Sequence, residues 1–240
     1  MKKIKFSAVV MSALIILSGC GMNNTAKGGL IGGGSGAAVG ALVGQLIGKN
    51  TGGTLIGAGV GAAVGTTAGI LIGRKMDKAK AAAEAVANAQ VESVKDNNGL
   101  DAVKVTFDSG ILFTTGNATL SSTAMSNLKD FTNNVLKVYP DCDVAIQGYT
   151  DNTGWKNSTK EQSVQKNIEL SQQRADAVKS YLLASGAGTS QIKSSTGFGE
   201  ENPVADNSTA AGQAQNRRVE IYLYASEAMI KAAEADAANQ

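Results

Sequence analysis

The sequence predicts an α/β protein: a mixed-sheet sandwich with helices, preceded by a helical hairpin built on glycine. Three observations predict it. Strand-like and helix-like apolar patterns alternate between residues 96 and 225. Glycine recurs at every fourth position through most of residues 28–73. The aromatic residues, Phe6 apart, lie from Phe107 onward, so only the second half carries material for a packed core. About 130 residues there suffice for one domain.

The chain opens like a secretion signal. Lys2, Lys3 and Lys5 precede an apolar run over residues 6–17, too short for a comfortable membrane span, and residues 1–19 are expected to be cleaved. The junction Leu17-Ser18-Gly19-Cys20 resembles the bacterial lipobox. That resemblance implies that Cys20 is acylated and heads a lipidated linker over residues 20–27. Each buried CH₂ of the acyl chains would add about 0.8 kcal/mol to a membrane anchor. Gly21 follows the cysteine where an aspartate commonly holds such proteins in the inner membrane, which implies the outer membrane, with the remaining chain facing the periplasm.

Residues 28–73 form a glycine ladder. Gly32, Gly36, Gly40, Gly44 and Gly48 are followed, after Lys49-Asn50-Thr51-Gly52, by Gly53, Gly57, Gly61, Gly65, Gly69 and Gly73. On a helix, positions four apart share a face, so each ladder makes a smooth stripe for close backbone packing. The uncharged runs, 21 residues before Lys49 and 24 after it, would span about 31 and 36 Å as helices, against a hydrocarbon core of about 30 Å. Glycine costs a helix about 1 kcal/mol per residue relative to alanine, so these helices need lipid or each other. The expectation is a glycine-zipper helical hairpin in the membrane. A zipper buried in water or in an oligomer, and a disordered spacer, are the alternatives.

Residues 74–95 read as a helical stalk, alanine-rich and charged to about residue 89. Toward its end, residues 91–94 and 102–107, separated by Asp96-Asn97-Asn98-Gly99, suggest a β-hairpin. Ala124, Leu128, Phe131, Val135 and Val138 fall at helical spacing, with Ser121 or Ser122 as N-cap and Pro140 as the stop. Residues 143–148 read as a strand. Ile168, Ala175, Val178 and Leu182 mark a second helix ending near Gly186. Residues 192–196 and 218–224 read as strands, the latter turning Val219, Ile221 and Leu223 inward. Residues 226–240 read as a frayed helical tail.

Four segments carry a resemblance. They are Gly148-Tyr149-Thr150-Asp151-Asn152-Thr153-Gly154, Asn167-Ile168-Glu169-Leu170-Ser171-Gln172-Gln173-Arg174-Ala175, Gly197-Phe198-Gly199-Glu200-Glu201-Asn202-Pro203, and Asn216-Arg217-Arg218-Val219-Glu220-Ile221. In this order and spacing they resemble the OmpA-like peptidoglycan-binding domain, over residues 103–224. With the lipobox and the ladder included, the chain resembles glycine-zipper lipoproteins of the YiaD type. The resemblance implies a domain over residues 96–225 whose partner is peptidoglycan, held through meso-diaminopimelate of an uncrosslinked stem. Asp151 matches the carboxylate that takes the ligand's ammonium. Arg174 matches the arginine that grips its carboxylate by two parallel hydrogen bonds, a geometry lysine lacks. Arg217 would assist at the pocket wall, and Thr150 and the turn at residues 113–117, with Gly116, would add polar or backbone contacts. Arg218, Glu220 and Tyr149 read as fold residues, and Glu200 and Asp206 as a solvated loop. A structural Asp–Arg bridge without ligand is the competing reading of the pair. Residues 155–166 form a polar stretch longer than the family's usual connection, expected to be a surface insertion with Trp155 covering the rim; a lid is the alternative.

Composition excludes other classes. The chain has 0 histidines, which removes Ser-His-Asp and Cys-His catalysis and His-bearing metal sites. No enzyme, cofactor or metal is expected. A net charge of +2 without a basic block gives no support for nucleic-acid binding. With Cys20 acylated, Cys142 is expected to be a buried thiol. Beyond peptidoglycan, the expected partners are outer-membrane lipid, through Cys20 and the hairpin, and a second copy through the zipper. Assembly or pore formation by the glycine ladder is the second function class.

Overall fold

The computed structural model describes residues 64–239, apart from 97 and 115. The signal, Cys20 and the glycine ladder before residue 64 lie outside the described residues. The elements are α1 (Thr66–Glu84), β1 (Ala89–Lys95), β2 (Asp101–Asp108), α2 (Ser109–Leu112), α3 (Ser122–Phe131), β3 (Cys142–Gly148), α4 (Lys160–Ala184), β4 (Ile192–Gly197), α5 (Ala210–Asn216), β5 (Arg218–Ala225) and α6 (Glu227–Ala238).

The strands form one mixed sheet in the order β1-β2-β5-β3-β4. Only β3 and β4 run parallel, joined by α4; the other pairs are antiparallel. Alternation builds the core. Val103, Val105 and Phe107 of β2 share a face with Val219, Ile221 and Leu223 of β5 and with Val144 and Ile146 of β3, against the helices. On the opposite face, Ala102, Ala145, Tyr222 and Tyr224 form a smaller cluster. All eight residues of the central β5 are buried. Cys142 is a buried free thiol at the start of β3, and burial pushes it up to about 12, so it stays an unreactive core residue.

Three sequence expectations change here. The helical stalk of residues 74–95 is instead α1, packed on the domain, and then β1, the edge strand. Its buried stripe is Ala68, Gly69, Ile72, Gly73, Met76, Ala79 and Ala83, which lies against β1, β2 and α6. The last rungs of the glycine ladder thus face a β-sheet and a helix, and Lys75 pairs with Asp141. An alanine stripe with Ile72 and Met76 buries more apolar surface on a core than a solvated stalk would. Asn88, at φ 61°, makes the turn from α1 toward β1. The sheet domain therefore begins before residue 96. The expected tail at residues 226–240 is the capped helix α6, with Ser226 accepting from Met229 N and with Met229, Ile230 and Ala233 buried.

The third change concerns phase. Ser121 caps α3 as expected, accepting from Ala124 N at 2.9 Å. The helix then continues as a π-helical turn, Thr132–Leu136, closed by Lys137 N donating to Thr132 O. The extra residue in that turn shifts the helical phase, so Val135 and Leu136 are buried while Val138 is 58% exposed. Among the described residues, no helix is long and apolar enough to cross a membrane.

Candidate functional site

The site lies where β3, α4, α2 and the start of β5 meet. Helix α4 comes unusually close to the sheet there. A Cβ on Gly148 would stand 2.2 Å from Ser171 O, and one on Gly197 2.1 Å from Gln172 N. Only glycine at these two strand ends admits the helix backbone. Side chains lock the contact: Gln172 Oε1 accepts from Gly197 N at 2.8 Å, and Ser171 Oγ accepts from Gly199 N at 2.8 Å. One turn further along α4, Arg174 is thereby held beside the loop that leaves β3 with Thr150 and Asp151.

A cavity of about 560 Å³ opens at this junction. Thr150, Asp151, Arg174, Arg217 and Gly116, the five predicted pocket residues, all line it. Cys20, the sixth predicted site residue, lies outside the described residues. Gly116 makes the turn at φ 75° that carries the wall between α2 and α3.

The pairing within the cavity differs from the simplest expectation. Asp151 ion-pairs with Arg217, not with Arg174. Its other oxygen accepts from Thr153 N at 2.9 Å. Burial pushes the Asp151 carboxyl up, but the hydrogen bonds from Arg217 and Thr153 and the Arg217 charge outweigh it, so the carboxyl sits below the usual carboxylate range. It is ionised at neutral pH and retains lone pairs for a further donor.

Arg174 is 4% exposed. Its Nε donates to Asn117 O at 3.2 Å, and its guanidinium lies 5.2 Å from the Phe113 ring centre. Among the described residues no carboxylate forms an ion pair with it. Burial and the like charge of Arg217 both push its pKa down, and the Asp151 charge offsets them only in part. An arginine keeps its proton under such pressure, so the cost remains as an only partly compensated buried cation. Two hydroxyls repeat the theme. Ser109 Oγ and Thr150 Oγ1 are buried on the cavity wall without a hydrogen-bond partner among the described residues. Buried polar groups rarely stay unpaired unless something else is meant to meet them.

Sequence reasoning missed Ser109, Asn167 and Lys156 as cavity residues. For Asn167 the signal was present: Asn167, Leu170 and Arg174 stand three and four apart, hence on one helix face. Asn167 Nδ2 reaches the carbonyls of Asp151 and Thr153 and, at 3.1 Å, Glu200 Oε2, so Glu200 is tied to the site's frame and is not free in solvent. Within the polar stretch at residues 155–166, residues 156–159 form a largely exposed loop, as expected of a surface insertion. From Lys160 onward the stretch supplies the first turns of α4, started by a Thr159–Gln162 capping box. Trp155 lines the cavity, its Nε1 donating to Asn167 Oδ1 at 2.8 Å and its backbone N to Ser163 Oγ at 3.0 Å.

Arg218, Glu220 and Tyr149 are indeed internal. Arg218 Nε donates to Glu220 Oε1 at 2.7 Å, Tyr222 OH donates to Glu220 Oε2 at 2.6 Å, and the Arg218 guanidinium lies 3.8 Å from the Tyr149 ring centre. Among the described residues no cluster of acidic or cysteine side chains could hold a metal ion.

Residues 112–217 match the OmpA family and residues 1–77 match the YMGG-like Gly-zipper, which runs into α1. The chain is 46% identical over 121 residues to "Probable lipoprotein YiaD" of Escherichia coli (strain K12), covering 50% of this chain and 47% of that one. It is 49% identical over 88 residues to "Peptidoglycan-binding protein ArfA" of Mycobacterium tuberculosis (strain ATCC 25618 / H37Rv), covering 37% of this chain and 24% of that one. It thus spans about half the length of one relative and a quarter of the other. In fold, it superposes on a MotB-like protein from Desulfovibrio vulgaris with a TM-score of 0.52 at 23% identity, over 66% of this chain and 92% of that one. The OmpA domain is a non-enzymatic one. The chain carries an OmpA-family domain with a YMGG-like glycine zipper before it.

Proposed function

We propose that this chain binds peptidoglycan non-covalently through the zwitterionic end of a diaminopimelate stem and tethers the outer membrane to the cell wall. The observation that carries this reading is Arg174: a buried guanidinium with no carboxylate partner among the described residues, on one cavity wall with an ionised Asp151. A ligand bearing a carboxylate and an ammonium on one carbon supplies what each lacks. Its carboxylate compensates Arg174, and its ammonium shares Asp151 with Arg217. The unpartnered hydroxyls of Ser109 and Thr150 gain hydrogen-bond partners in the same step. The names of the YiaD and ArfA relatives support a lipoprotein and a peptidoglycan binder, respectively. Acylated Cys20 serves as the membrane anchor in this reading, helped by the part of the glycine ladder that precedes α1, since Gly69 and Gly73 are taken up by the domain, and many weakly held stems on one wall add up multivalently.

Co-sedimentation with purified sacculi tests the pocket. Asp151→Ala and Arg174→Ala each lose a charge-assisted contact of about 1.5–3 kcal/mol, so binding falls at least about tenfold while the circular dichroism spectrum stays native. Retention of both variants at the wild-type level would falsify the assignment. Palmitate labelling that persists in Cys20→Ser would remove the anchor.

A further inference from the structure

We infer that Trp155 and Lys156 form a second subsite of this cavity, one that takes a free carboxylate beside the zwitterion and so selects unamidated stems. The inference rests on the diaminopimelate reading above. Its own basis is charge and volume. The ionisable side chains lining the cavity are Asp151, Lys156, Arg174 and Arg217. One negative and three positive charges leave an excess of +2, and a zwitterion, being neutral, leaves that excess untouched. A ligand with a second carboxylate reduces it. The volume of about 560 Å³ lies in the range that takes a drug-sized ligand, larger than the end of one amino acid. In a peptidoglycan stem the neighbouring acidic residue is joined through its side chain, which leaves an α-carboxylate that is free in some walls and an amide in others.

The wall that would meet this group is tied to α4 at Trp155. Trp155 is fixed at its indole by Asn167 and at its backbone by Ser163, both on α4, and Lys166 sits 5.7 Å from its ring centre. Lys156, next in sequence, is exposed, lines the cavity and forms no ion pair among the described residues. An amide in place of the carboxylate gives Lys156 no charge to meet. The polar stretch that lengthens the link from Asp151 to Arg174 therefore acts in ligand choice, with the first turns of α4 as its support.

The full chain would be titrated calorimetrically with meso-diaminopimelate, with a stem tripeptide carrying the free α-carboxylate, and with its α-amide. Trp155 is the chain's single tryptophan, so its fluorescence reads the site directly. The wild type should bind the carboxylate stem about three- to fivefold more tightly than the amide, the range of an ion pair with an exposed lysine. High salt should shrink that ratio, and K156Q should bring it close to one. A ratio near one in the wild type, or the same ratio in K156Q, overturns the inference. If diaminopimelate binds but the ratio is near one, only the second subsite fails. If diaminopimelate does not bind, the underlying reading fails with it.

Discussion

Arg217 and Arg218 are adjacent in the chain and have opposite fates. Arg218 points to the interior of the sheet's second face, where its side chain is 5% exposed. Each of its nitrogens donates: Nε to Glu220, one terminal nitrogen to Asn216 O and the other to Asn202 O, each of the latter at 3.2 Å. Arg217 faces the cavity with its side chain 39% exposed and, among the described residues, pairs with Asp151 alone. Lining the same cavity, Arg174 is as buried as Arg218 but has, among the described residues, one hydrogen bond where Arg218 has three. The contrast teaches how to tell the two roles apart. A buried cation whose donors are saturated serves the fold; one left short of partners beside a cavity waits for a ligand. Extended backbone makes this possible: Arg217, between α5 and β5, and Arg218, the first residue of β5, send their side chains to opposite sides.

Mutation can break that distinction at several depths. Arg218→Ala leaves Glu220 buried without its cation, so the domain should lose about 3–5 kcal/mol in urea unfolding. A loss below about 1 kcal/mol would mean that the network does not support the fold. Arg174→Met should behave in the opposite sense. Replacing an only partly compensated buried charge by an apolar side chain of similar length should leave thermal stability unchanged or raise it by about 1 kcal/mol, while diaminopimelate binding falls about 10- to 100-fold. Destabilisation comparable to that of Arg218→Ala would make Arg174 a fold residue.

Asp96 sharpens the rule on the acidic side and should give the smallest effect. It is 5% exposed and accepts from Asn98 N and Leu100 N in the β1–β2 turn. Burial raises its pKa from 3.8 to about 6, against the lowering effect of those two backbone hydrogen bonds. The folded state therefore holds a proton that the unfolded chain releases. The stability gained this way is complete below the unfolded pKa of 3.8 and is lost as pH rises through about 6. Asp96→Asn keeps the acceptor oxygen without the charge. It should stabilise the domain by about 1–2 kcal/mol near neutral pH, and that gain should vanish in acid. A gain independent of pH would show that charge burial is not its cause.

Much of the domain was legible in the chain. The spacing of Val219, Ile221 and Leu223 marked the inward face of β5, Ser121 marked the start of α3, and Gly186, at φ 101°, closes α4 where expected. These are local features, set by the strand and helix periods and by capping chemistry. The motif segments likewise marked Asp151, Arg174 and Arg217 as neighbours. Legibility failed where two elements had to meet. The alanine-rich residues after Gly73 read as a solvated stalk because their apolar stripe is made of small side chains, whose partner surface on β1, β2 and α6 is remote in sequence. The added residue of the π-helical turn turned Val138 outward, and no side chain announces such a turn.

From its own letters the chain determined the glycine period, the order of most strands and of the two long helices between residues 102 and 224, and the presence of one acid and two arginines in motif positions. Tertiary structure decided which arginine holds Asp151, which cation stays short of partners, and that Trp155 and Lys156 reach the same cavity. The reason is physical. Periodicity states which face of an element is apolar, whereas Asp151 and Arg217 stand 66 residues apart, and their pairing depends on how closely α4 seats against Gly148 and Gly197.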